Sequence, residues 1–365
     1  MANLLRADEC LRSNRRRPVF EFWILAIMLI ACTAAFGQET QDLSEQPVPI
    51  LTGSAGYFTN VTAGENALVP IVMPVALVPL GDRWLVESRG RFSAEFERPK
   101  GEDGPYGGTV DKTLDYLQVD YIANSHLTIT AGRFLTPFGI YNERLYPIWI
   151  RDLQVTPLIF PIGTGSSDGA MLRGGFPLNS GVNLNYAAYF STASTVTAFE
   201  SDRTTGGRVG FFFPRPRIEV GASWQKLLQE DRTQSEGVHF AWQPPPVPLN
   251  LRFEYARGHF GSGYWVEGAY RFSQIQLWNS AMRRTEFVAR MQQFFAGEAS
   301  APSDGEYHLP HSNVQQPDFG LNYYIKDGLK ASAAYGRWLG KRNYNVWSFG
   351  IAYRFAIPLG RLEPQ

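Results

Sequence analysis

Tyr344-Asn-Val-Trp-Ser-Phe-Gly-Ile-Ala-Tyr-Arg-Phe355 alternates with period two, and that alternation constrains the rest of the chain. On an extended strand Trp347, Phe349, Ile351, Tyr353 and Phe355 share one face, and Val346, Ser348, Gly350, Ala352 and Arg354 share the other. One face is apolar and aromatic while the other is small or charged, which suits lipid on one side and a crowded interior on the other. A strand in hydrocarbon needs a partner on each edge, because unpaired backbone N–H and C=O groups find no water there. The remaining chain is therefore expected to close a cylinder with no open edge.

The same alternation recurs upstream. Trp84, Val86, Phe92 and Phe96 oppose Arg83, Glu87, Arg89, Arg91 and Glu95 along 83–97, and Leu117, Val119 and Tyr121 oppose Tyr116, Gln118 and Asp120 along 113–123. Further strands are expected at 126–134, 168–176, 182–190, 207–213, 217–227, 237–243, 249–257, 263–272, 284–295, 317–325 and 329–338. That makes about fourteen, or about sixteen with an early hairpin from Gly53 through Val78, and both counts are even as a bacterial barrel requires. Pro47, Pro49, Pro70, Pro74 and Pro79 spoil a long ladder in that early stretch, so 38–79 reads as either a periplasmic lead-in or a hairpin.

Connections sort by length. Asn124-Ser125, Pro177–Gly181, Pro214–Pro216, Pro244–Pro248 and Lys326–Gly328 are short and rich in turn residues, whereas Pro99–Lys112, Thr136–Ser167, Ser191–Gly206, Gln229–Glu236 and Gly297–Gln316 are mostly longer. Short turns at one end and long loops at the other are the asymmetry of an outer-membrane barrel; a soluble sandwich or propeller gives no reason for it. The expected fold is all-β: a transmembrane antiparallel barrel over 80–355, with a long loop folded inward and a short C-terminal tail at 356–365.

Composition agrees. Among 365 residues aromatics are 14%, charged residues only 19%, and Gly 35 and Pro 24 supply turns. The formal net charge is +0, so nothing points to nucleic acid as a partner. Cys10 and Cys32 lie far toward the N-terminus, leaving the body without a disulfide framework or a thiol metal site. Residues 1–37 read as a secretory signal: Arg12, Arg15, Arg16 and Arg17, then an apolar core from Phe22 to Cys32, then Ala35-Phe36-Gly37. The core is short against the ~20 residues of a spanning helix. Leu29-Ile30-Ala31-Cys32 resembles a lipobox, which would leave Cys32 acylated, but so short a match is weakly specific and ordinary cleavage is the preferred reading.

A cylinder of this size has a bore too wide for its own side chains to fill, so it holds water unless a loop enters. The inward set is polar and mixed in sign, with Arg89, Arg91, Asp120, Arg252, Glu254 and Arg271 as pore-lining residues, joined by Glu95, Arg217, Glu219, Glu267 and Lys330. The long excursion is the expected constriction. It brings Arg133, Glu143, Arg144, Arg151 and Asp152 among aromatics and prolines, where they either focus the field at a neck or pair with wall charges to hold the loop.

Gly132-Arg-Phe-Leu-Thr-Pro-Phe-Gly139 followed by Asn142-Glu-Arg144, with the strand–turn–strand before it, resembles the phosphate-selective porin O and P family of Gram-negative porins. Ser348-x-Gly350-x-x-Tyr353-x-Phe355 is similar to the terminal signal of bacterial outer-membrane barrels. The resemblance implies a passive channel in the outer membrane, surrounded by lipid and trimeric, for small anions or other hydrophilic solutes. The chain departs from a phosphate-selective pore in its few lysines and many inward carboxylates. A non-conducting barrel serving as anchor or adhesin, or one carrying hydrophobic compounds, is the alternative. Catalytic, cofactor and metal sites are not expected: His126, His239, His259, His308 and His311 are scattered, and the pair His308/His311 flanks a proline in a loop.

Overall fold

The computed structural model describes residues 48–98, 105–196, 199–229, 231–275, 280–299, 309–326 and 328–360. The expected signal segment, Cys32, His308 and the last residues of the tail lie outside them. The described residues form sixteen strands closed into one antiparallel barrel, each paired with its sequence neighbours and β1 with β16. In order these are β1 (Ile50–Thr62), β2 (Glu65–Leu80), β3 (Trp84–Arg98), β4 (Gly107–Asn124), β5 (Leu127–Leu135), β6 (Ser166–Asn179), β7 (Val182–Thr192) and β8 (Thr204–Phe213). Then follow β9 (Ile218–Leu227), β10 (Gln234–Trp242), β11 (Leu249–Gly258), β12 (Gly261–Arg271), β13 (Thr285–Ala296), β14 (Val314–Lys326), β15 (Leu329–Trp338) and β16 (Tyr344–Pro358).

The barrel therefore starts at Ile50 rather than near residue 80, and the early hairpin is real. Pro70, Pro74 and Pro79 all sit inside β2. They are tolerated because a residue in an antiparallel strand bonds to one neighbour only: the ladder with β1 runs unbroken from Ile50↔Leu77 to Thr62↔Glu65, while the ladder with β3 skips Pro70 and Pro74.

β16 closes on β1 in continuous register, Ser54↔Arg354 and Phe58↔Gly350 among the pairs. Its faces divide as its alternation requires. Trp347, Phe349, Ile351 and Tyr353 are exposed outward, and Ser348 and Ala352 are buried inward. The same holds in β3, where Trp84, Phe92 and Phe96 are exposed but Arg89 and Arg91 are buried. Tilted aromatic pairs stand near each end of the wall, Trp84 with Tyr121 and Tyr335 with Trp347, each at 4.6 Å.

Both described chain ends reach the same rim, here called the terminal rim; the opposite one is the far rim. Length sorting is real but incomplete. The far rim also carries the tight connections at 63–64 and 259–260, and the terminal rim carries a longer one at 272–284 with a one-turn helix over Ser280–Arg283.

Candidate functional site

Residues 136–165 leave β5 and return to β6 without adding a strand to the wall. Their base is tied by Thr136, whose N–H donates to Gly165 O at 3.0 Å and whose hydroxyl donates to Gly163 O at 3.1 Å. The Asn142 amide closes the same base, donating to Thr136 O and Gly165 O at 3.1 Å each. Pro137 bars helix at the start. Gly139, at φ 61°, then turns the chain into the bore, and a Cβ there would collide with the Glu254 carboxylate. A single π-type turn follows over Tyr141–Leu145.

Side chains from the wall satisfy the backbone that this path leaves unpaired. Gly139 N–H donates to Ser223 Oγ (3.0 Å), Ile140 N–H to Glu254 Oε2 (3.2 Å) and Leu158 N–H to Gln292 Oε1 (2.8 Å). Arg208 donates to Gly139 O (2.8 Å), Lys330 to Trp149 O (2.9 Å) and Arg151 O (2.7 Å), Arg290 to Val155 O (2.6 Å), and Asn322 to Asp152 O (2.9 Å). These partners stand on β8, β9, β11, β13, β14 and β15, so the excursion crosses the bore and fastens to a broad arc of wall.

Three of the expected constriction residues take part in this fastening. Glu143 pairs with Arg208 at 2.7 Å and Arg173 at 3.5 Å, Arg144 with Glu219 at 2.7 Å, and Asp152 with Arg252 at 2.6 Å. Burial alone would lower the Arg144 pKa; its hydrogen bond to Glu219 and the charges of Glu219 and Glu143 hold it above its ordinary value. Arg151 turns back on its own loop, donating to Tyr146 O and Gln154 O and lying 4.5 Å over the Tyr146 ring. Arg133 stays in the wall, donating to Asp168 at 2.9 Å and to Leu114 O at 2.9 Å. Four of the five thus belong to the excursion and one to its root.

Of the pore-lining set, Arg89 pairs with Asp115 at 2.8 Å, Arg91 with Asp111 at 3.2 Å, and Asp120 accepts from Thr130 at 2.5 Å. Arg252 also reaches Glu267 at 3.3 Å, Glu254 is buried under Ile140, and Arg271 lies 4.4 Å over the Tyr324 ring at the terminal rim.

Aromatic packing inside the bore is what the sequence reading left out. Tyr141, Tyr146, Ile148, Ile159, Phe160 and Ile162 form a buried cluster with Phe58, Met73, Trp265 and Phe294 of the wall. Tyr141 meets the Phe160 and Trp265 rings edge-on at 5.3 and 6.1 Å, and burial pushes its phenol pKa up. Wall glycines leave the room: a Cβ on Gly237 would come 3.0 Å from Phe138, on Gly263 2.7 Å from Ile159, and on Gly320 2.5 Å from Leu153. Arg208 was also missed. Its signal was there, since it lies between Gly206 and Gly210 on the inward period of β8.

The excursion leaves water space on both sides. A cavity of about 750 Å³ opens at the far rim between the excursion's 154–158 stretch and the wall at Asn60, Glu65, Glu95, Glu97, Gln316 and Trp338. A second, of about 570 Å³, opens at the terminal rim beneath Ile140, Arg144 and Leu145 and is walled by Arg217, Glu219 and Arg252. Such volumes admit small hydrated solutes.

No family profile matches the chain, and no curated protein matches it. Solved structures do. Salmonella typhi OmpF in complex with daunomycin aligns with TM-score 0.57 and 12% identity over 84% of this chain and 97% of that one. A loop-deleted OmpT, an outer membrane protein of Vibrio cholerae, gives 0.56 and 10% over 85% and 100%. The anion-selective porin from Comamonas acidovorans gives 0.53 and 10% over 85% and 99%. At these identities the likeness is one of fold: the chain is an outer-membrane-type barrel.

Proposed function

We propose that this barrel is an outer-membrane channel for passive diffusion of small hydrophilic solutes, with the excursion as its neck. One observation carries the reading: cavities of about 750 and 570 Å³, each with charged residues in a mixed lining, open at opposite rims on either side of a cross-bore loop pinned by ion pairs. A loop fixed in this way narrows a bore without depending on its own flexibility. The terminal rim then faces the periplasm and the far rim the exterior. A trimer in the membrane fits the same reading.

Arg144 is the neck residue assigned to ionic preference, because its guanidinium lines the terminal cavity as well as pairing with Glu219. The anion-selective Comamonas porin shares the fold, and a guanidinium at the neck supports the same preference here. Glu143, Arg151 and Asp152 act as anchors, and Arg133 as a wall residue at the excursion's root.

A closed, non-conducting barrel is the second reading, and the density of ties between excursion and wall favours it. Purified protein in planar lipid bilayers decides between the two. Stepwise ohmic insertions support the channel, and silence from protein that still shows the heat-modifiable migration of a folded barrel rejects it.

A further inference from the structure

The two cavities carry opposite charge. At the far rim the lining includes Glu65 at the start of β2 and Glu95 and Glu97 near the end of β3, against the single cation Arg98. None of the three carboxylates has an ion-pair partner among the described residues, and the Arg98 guanidinium lies 4.9 Å over the Tyr106 ring. At the terminal rim the cavity beneath the excursion adjoins a second of about 400 Å³ that shares Arg217 and Gln243 with it. Together they are lined by Arg144, Arg217, Arg252 and Arg271 against Glu219 and Glu286. Arg217 and Arg271 have no ion-pair partner among the described residues. Among the described residues the turns of that rim add Arg83, Arg215, Arg283 and Arg284 against Asp82. The excursion separates the acidic compartment from the basic one.

We infer that the channel rectifies: it passes more current when the far side is positive than when the terminal side is. The inference rests on the proposed conduction. Fixed carboxylates enrich mobile cations in the far mouth, and fixed guanidiniums enrich anions in the terminal cavity. Making the far side positive drives both populations toward the neck, filling it with carriers. The opposite polarity draws both away and depletes it. The effect requires the counter-ion layer to reach across each cavity, so it belongs to dilute salt: the Debye length is about 10 Å at 0.1 M and about 3 Å at 1 M.

The test is single-channel current–voltage measurement in planar bilayers with KCl at 0.1 M and at 1 M. The expected ratio of currents at equal and opposite voltage is about twofold in dilute salt and near one in concentrated salt, in line with that change in screening length. Lanthanum ions, added to each chamber in turn after the curve is recorded, orient each channel, since they neutralise the exposed carboxylates and straighten the curve only from the far side. In the curve recorded before their addition, the larger current is the one with that chamber positive. The variant E65Q/E95Q/E97Q straightens the curve at 0.1 M, and R217Q/R271Q does so independently. A conducting channel whose current is symmetric at 0.1 M overturns the inference and leaves the channel standing. Larger current at the opposite polarity also overturns it. Folded protein that never conducts removes the channel reading and the rectification together.

Discussion

Glu143 illustrates how pairing and selectivity divide among residues that look alike in sequence. It sits between Arg208 and Arg173, with its side chain only 12% exposed. Glu143→Gln therefore leaves Arg208 buried without its anionic partner, a loss worth about 3 kcal/mol. The expected result is a lowered urea midpoint in liposomes together with a noisier open channel, read by tryptophan fluorescence and bilayer recording. Arg144 and Arg151 separate in the same way. Arg144→Glu is expected to move the reversal potential in a salt gradient toward cations. Arg151→Glu is expected to leave that potential where it was and to lower stability instead, since the Arg151 guanidinium is spent on its own loop's carbonyls. Sequence alone placed all five charges on or beside the loop, because prolines and aromatics mark an excursion. It could not assign partners, because those sit as far as 100 positions away, on strands whose register only closure fixes, as Asp152 and Arg252 show.

Among the elements, strands were the legible part and the excursion's seat was not. Period two gave the faces of β3, β4 and β16 directly, since lipid and bore impose opposite chemistry on alternate residues. β2 was harder to read, because its prolines argue against a strand until it is known which neighbour loses the hydrogen bond. Lipid exposure of β16 yields a quantitative expectation: Ile351→Lys, midway along the strand, costs about 2–4 kcal/mol in urea titrations of liposome-folded protein. For the excursion, Gly139→Val meets both a positive φ and the Glu254 carboxylate, so the loop unseats from the wall while the strands still pair. The expected signature is unchanged heat-modifiable migration on gels with an increased unit conductance. Replacing 140–162 by a short glycine-serine link exaggerates the result, because the bore is then left to water.

The barrel as a whole could be counted from its turns but not filled from them. Its bore is neither a plain aqueous tube nor a sealed core. It holds an aromatic centre seated on glycines, with charged water space at either end, and that arrangement sets when each part can form. Ile148 lies against Gly56 near the start of the barrel, while Lys330 near its end holds Trp149 and Arg151. These contacts exist only after the first and last strands have met, so the excursion is the last piece to settle. A nascent barrel must therefore pass through a stage in which the wall is shut and the middle is still vacant. During assembly into vesicles that stage is a brief leak to ions, and a trapped fluorescent dye should register it as a burst that stops before the aromatic signals of the finished protein stop changing.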